Sequence, residues 1–166
     1  MDARHAIVQA DVWLTGIFGF TAAYAAWSFS TGAQWVGAIT AMVLFTIGVF
    51  AFLWSYWNAV QRSRTDEIAV SQLYLLLGDA IPKEVRRIML TALGLQFAVF
   101  AVALVTTLVR PEGPTGGAGS SLAVGFLVPM LGFGLNGLWA ANYGTFSTRA
   151  PVRNSAADIG QNAEHG

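Results

Sequence analysis

An all-α, polytopic membrane fold is what the sequence predicts: an up-down bundle of four transmembrane helices, with a short cytoplasmic interfacial helix between helices 2 and 3. Three observations lead there. Hydrophobic residues make up 55% of the 166 residues and charged residues only 11%, against roughly 25% charged in soluble domains, which is too little charge to cover a soluble surface. Four apolar stretches, Val12–Phe29, Val36–Asn58, Ile88–Leu108 and Leu122–Tyr143, hold 18, 23, 21 and 22 residues with no Asp, Glu, Lys, Arg or His among them. About 20 such residues cross a bilayer as a helix, which satisfies its own backbone there. Finally, eight of the nine basic residues fall on one side of these stretches, the bias that marks a cytoplasmic face.

Helix 1 has a rival reading as a cleaved leader with Ala23-Tyr24-Ala25 as the cut site. Asp2 and Asp11 beside Arg4 spoil the positive leading segment, and the apolar run continues through Trp27 and Phe29, so a membrane helix is preferred. A tight outer connection, Ser30–Trp35, leads to helix 2. In the loop Ala59–Val85, Thr65 is positioned to cap a helix whose first turn carries Asp66 and Glu67. Ile68, Val70, Leu73, Tyr74, Leu76 and Leu77 give that helix an apolar body, and Gly78 a stop. Its apolarity places it in the headgroup layer or under the bundle. Pro82 opens helix 3, and the Pro/Gly-rich Arg110–Ser121 forms the second outer connection before helix 4. Residues 1–144 form the transmembrane domain, and the polar tail 145–166 is expected to be disordered.

Orientation follows from Arg4, Arg62, Arg64, Lys83, Arg86, Arg87, Arg149 and Arg153 on one side and Arg110 on the other. Both termini are therefore expected in the cytoplasm. Trp13, Trp54, Trp57 and Trp139 towards that side, with Trp27 and Trp35 towards the other, fit interfacial belts. The loop cations Arg62, Arg64, Lys83, Arg86 and Arg87 are expected to meet lipid headgroups or a partner.

Small residues recur at three- and four-residue steps: Gly16, Gly19, Ala23, Ala26 and Ser30 in helix 1; Gly37, Ala41, Gly48, Ala51, Ser55 and Asn58 in helix 2, with Leu44 filling the gap; Thr91, Gly94, Ala98 and Ala101 in helix 3. That rhythm predicts close helix packing along one seam. Gly132 and Gly137 belong to a G-x-G-x-x-G run, Gly132–Gly137, but it lacks the strand and helix start of a dinucleotide site, so packing is its reading too. Gln96 and Asn136 are the primary amides expected deep in the membrane. Counted from the cytoplasmic face they lie about nine and seven residues in, matching to about 3 Å in depth, which predicts a structural clasp between them. Val-Gly followed by Met five positions after the Gly occurs in helix 2 (Gly37, Met42) and helix 4 (Gly125, Met130), suggesting a parallel duplication of hairpins.

Cysteine is absent and the two histidines are His5 and His165, so no metal, haem, iron–sulfur or other cofactor is expected. Zero net charge argues against a nucleic-acid partner. Asp11 and Asp79 are placed at the cytoplasmic boundary, leaving no membrane carboxylate for proton-coupled export. The expectation is a non-catalytic accessory, scaffold or assembly subunit of a larger membrane complex in the lipid bilayer. The alternatives are a homo-oligomeric small transporter or channel, and a lipid-processing enzyme using Asp11, Asp79 and Arg86.

The run Phe52-Leu53-Trp54-Ser55-Tyr56-Trp57-Asn58-Ala59-Val60-Gln61-Arg62-Ser63-Arg64, with the Leu-rich loop and Gly134–Ala140, resembles uncharacterised four-helix membrane proteins of actinobacteria. The resemblance spans helices 2 to 4. It implies a bacterial membrane protein and supplies neither an activity nor functional residues.

Overall fold

The computed structural model describes residues 3–28, 30–109 and 125–148. Its elements are α1 (Ala3–Ser28), α2 (Thr31–Arg62), α3 (Val70–Tyr74), α4 (Lys83–Val109) and α5 (Pro129–Tyr143). Three helices, α1, α2 and α4, are long and apolar enough to cross a membrane. Each outruns its apolar stretch. α1 begins before Asp11, and α2 runs from a Ser30 cap, whose hydroxyl accepts from Ala33 N–H at 3.2 Å, to Arg62.

The fourth stretch behaves differently. Expected to run as one helix over 122–143, it has within its described residues, 125–143, a 3₁₀ turn over 125–127 that precedes the α-helix, which starts at Pro129. Proline at the first position of a helix loses nothing, because that N–H has no partner within the helix anyway. The 15 residues of α5 rise only about 22 Å, short of the roughly 30 Å hydrocarbon core. α5 is also the most enclosed element. Ten of its 15 residues are buried, so it serves as the core around which the longer helices stand.

α3 is shorter than the sequence suggests, and the reason is local. Thr65 Oγ1 bonds back to Arg62 O at 3.1 Å instead of capping a new helix, and Asp66 is drawn into an ion pair with Arg62 at 2.9 Å. Helix therefore starts only at Val70, where Gln72 Oε1 accepts from Ala69 N–H. Gly78 closes the turn with φ +89°, a left-handed conformation that glycine adopts without strain. Leu73, Tyr74 and Leu76 are buried, and α3 packs against α5.

α5 packs most extensively on α2, and α1 packs on both α4 and α2. The start of α1, the end of α2, the start of α4 and the end of α5 meet at one end of the bundle. Trp139 Nε1 donates to Arg4 O at 3.2 Å there, and Arg62 donates to Ala141 O at 2.9 Å and Gly144 O at 3.2 Å. We call this the basic end. The expected tail 145–166 is described only to Thr148. Thr145 N donates to Ala80 O, Ser147 O accepts from Glu67 N, and Thr148 pairs with Asp66. Thr145 and Ser147 are thus hydrogen-bonded to the loop after α2, and Thr148 is paired with it.

Candidate functional site

The faces that meet are set by side-chain size. Gly48 on α2 lies against the α5 backbone so closely that a Cβ there would sit 2.5 Å from Leu131 N and 2.6 Å from Met130 C. A Cβ at Gly134 would run into Gly48 O, and one at Gly137 would lie 2.6 Å from Ser55 Oγ and Tyr74 Cε1. A Cβ at Gly132 would meet Leu93 Cδ1 at 2.7 Å, and one at Gly37 Ala25 Cβ at 3.3 Å. Backbones approach this closely only where glycine leaves room.

On α1 the sequence seam is out by one residue. The buried positions are Asp11, Thr15, Phe18, Ala22 and Ala25, one place before Gly16, Gly19, Ala23 and Ala26. One residue is a rotation of about 100° around the helix. Gly16, Gly19 and Gly94 accordingly have nothing within 4 Å of a Cβ position. Gly19, Ala23 and Ala26 line an open groove of about 280 Å³ between α1 and α4, facing Leu95, Ala98 and Val102.

The rotation brings polar groups inside. Gln96 is the central residue of α4, and Thr15 is one of the two central residues of α1. Gln96 Nε2 donates to Thr15 Oγ1 at 2.7 Å and, at the longer distance of 3.5 Å, to Asp11 Oδ1. Its Oε1 accepts from Gly132 N–H at 3.2 Å. Asp11, Gln96 and Asn136 have no exposed surface, and Thr15 has 2%. One glutamine thus joins three elements at the middle of the bundle, and α5 begins there, so α5 is a half-helix whose N-terminal end meets the cluster.

The expected clasp between Gln96 and Asn136 is not formed. Asn136 Nδ2 instead donates to Tyr74 O at 3.0 Å, and its Oδ1 has no partner among the described residues. Asn136 lies one turn past Gly132, so the two amides belong to one seam but serve different neighbours. Asp11 is the second correction. It is not at the boundary but buried, one turn from the centre of α1. Its spacing gave the signal: Asp11, Thr15, Phe18, Ala22 and Ala25 follow the same three- and four-residue rhythm that was assigned to the small residues.

At the basic end the cations divide. Arg62 is a structural tie, bonded to Asp66, Ala141 O and Gly144 O and lying 5.3 Å from the Phe146 ring centroid. Arg86 donates to Gly78 O at 3.0 Å, while Arg64, Lys83 and Arg87 are exposed. Arg86 and Asp79 share a cavity of about 740 Å³ with Arg4, Lys83 and Tyr143. Asp11 lies in the central cluster, so the three residues grouped for lipid processing are not brought together. Among the described residues no group of three His, Cys, Asp or Glu could hold a metal ion.

Comparison of the chain with protein-family models, curated proteins and solved structures finds no match.

Proposed function

We propose that this chain is an integral protein of a bacterial cytoplasmic membrane, serving as a non-catalytic accessory, scaffold or assembly subunit of a larger membrane complex. α1, α2 and α4 make three crossings, and α5 with the turn that precedes it belongs to the fourth. The basic end faces the cytoplasm together with both termini, and α3 lies at that interface. The gathering of Arg4, Arg62, Lys83 and Arg86 at one end of the fold supports this orientation. Exposed Arg64, Lys83 and Arg87 are then available to lipid headgroups.

The observation that carries the assembly reading is the open half of the α1–α4 seam. Gly19, Ala23 and Ala26 present small residues to a groove that none of the described elements fills. In lipid, helices associate through close van der Waals packing on such residues, so the groove suits a transmembrane helix of another subunit. Gly19→Cys and Ala23→Cys should crosslink to a different protein in native membranes, whereas Phe50→Cys, 70% exposed on α2, should not. Mild detergent extraction should yield a hetero-complex. A lone monomer with no crosslink would overturn the reading.

The homo-oligomeric transporter is favoured by a different observation, the buried carboxylate of Asp11, since ionisable residues inside membrane bundles mark ion or proton paths. A closed homo-oligomer crosslinked through the groove would select it.

A further inference from the structure

The inner half of the α1–α4 seam holds a separate feature. From Glu84 and Arg87 at the basic end, a cleft of about 710 Å³ runs between Val12, Gly16 and Ile88 to Thr15. Thr15 is the hydroxyl that Gln96 holds, and the same Gln96 nitrogen reaches Asp11. The cleft therefore ends one side chain away from a carboxyl group with no exposed surface, whose Oδ2 has no hydrogen-bond partner among the described residues. An isolated charge in such a place is costly unless it is paired or neutralised.

The charged and titratable groups on the surrounding elements lie elsewhere. On α1 itself they are Arg4, His5 and Tyr24. On α4 they are Lys83, Glu84, Arg86 and Arg87, all in its first turns. α2 carries Tyr56 and Arg62 towards the basic end, α5 carries Tyr143 at its far end, and Tyr74 packs from α3. Among the described residues, only Gln96 bonds the Asp11 side chain.

The identity of the ligand follows from the orientation of Gln96. Gly132 N–H holds the amide oxygen, so the amide turns its NH₂ towards Asp11 and Thr15. A metal cation beside Asp11 would face those N–H donors, whereas a proton on Oδ2 needs no further ligand. We propose that Asp11 is a reversible proton-binding site inside the bundle, reached along the α1–α4 cleft. A proton arriving from water forms one O–H bond at Oδ2 and neutralises the carboxylate. Its return to water restores the negative charge, with the Gln96 N–H beside Oδ1. This goes beyond the assembly reading and stands without it.

The test uses the full chain in lipid nanodiscs, with its aspartate carboxyls labelled with carbon-13, followed by isotope-edited infrared spectroscopy against pH. Besides the bands of the other four aspartates, one carbonyl band at the high frequency of a water-excluded neutral acid should appear and vanish reversibly with pH and shift in deuterium oxide. The band should be lost in Asp11→Asn, kept in Asp79→Asn and displaced in Asp11→Glu. Gly16→Leu, which fills the cleft, should slow its deuterium exchange several-fold without removing it. Because the labelled wild-type chain is read directly, the result does not depend on the variants folding. An Asp11 signal fixed in one protonation state at every pH, or a high-frequency band that survives unchanged in Asp11→Asn, would overturn the site. Exchange as fast in Gly16→Leu as in the wild type would overturn the route.

Discussion

Gly48→Ala adds one methyl group where α2 and α5 touch through their backbones. The new Cβ would stand 2.5 Å from Leu131 N, whereas ordinary contact begins at 3.4 Å, so the helices must part by about 1 Å along their most extensive interface. Neither side offers a flexible side chain to swing away, because the obstructing atoms belong to the α5 backbone. Overpacking of this kind costs roughly 1–3 kcal/mol, and a gap of 0.5–1 Å forfeits about a quarter to a half of each pair's dispersion well. Gly19→Ala is the matched control on α1. Its Cβ meets nothing within 4 Å, and alanine improves an open helical position by about 0.5–1 kcal/mol in water. The two variants should therefore differ by about 1.5–4 kcal/mol, read as separated midpoints in reversible unfolding by detergent titration. Midpoints equal within about 0.3 kcal/mol would refute the glycine contact between α2 and α5.

Three further outcomes are expected. Gln96→Leu removes the bonds to Thr15 and Gly132 N–H and leaves Asp11 without its donor, costing about 1–3 kcal/mol. Asn136→Leu removes only the bond to Tyr74 O, and with separate partner sets the double variant should be additive within about 0.5 kcal/mol in the same titration; strong non-additivity would revive a direct clasp. Arg62→Lys cannot reproduce the forked contacts to Asp66, Ala141 O and Gly144 O, so hydrogen exchange across residues 141–148 should accelerate, with no change around Gly37. A cysteine placed at Gly117 should react with an impermeant reagent on intact cells, and one at Ser63 only after permeabilisation; the reverse pattern would invert the orientation.

The apolar runs revealed that helices existed but not how they were rotated or where they broke. Hydropathy counts residues per span, so it found α1, α2 and α4 and underestimated each, because Asp11 in α1, Gln34 and Arg62 in α2, and Arg87 in α4 interrupt an apolar window without interrupting a helix. It could not choose between two faces of α1 one residue apart. Small residues at Gly16 and Gly19 and polar residues at Asp11 and Thr15 are both spaced for a seam, and only the position of α4 decides between them. The burial of Gln96 was legible, because an amide inside an apolar run needs an enclosed partner. Its partners were not, because Thr15 and the backbone of Gly132 come from elements 81 and 36 residues away in sequence.

The break before α5 links these points. A helix running uninterrupted over 122–143 would bond its own backbone throughout, and Gln96 would face a wall with nothing to donate to it. Starting the helix at Pro129 places the positive end of its dipole at mid-bundle, with Gly132 N–H directed at Gln96 Oε1. That one bond settles which way the glutamine points, and so presents N–H rather than oxygen to Asp11. Broken helices recur where membrane bundles build polar sites, because irregular backbone is tolerated only when protein or water satisfies it. The glycines at 132, 134 and 137 let α2, α3 and α4 close around the short helix. Pro129 and the glycines, whose G-x-G-x-x-G spacing read in the sequence as helix packing, are therefore what allows a carboxyl group to sit inside this bundle.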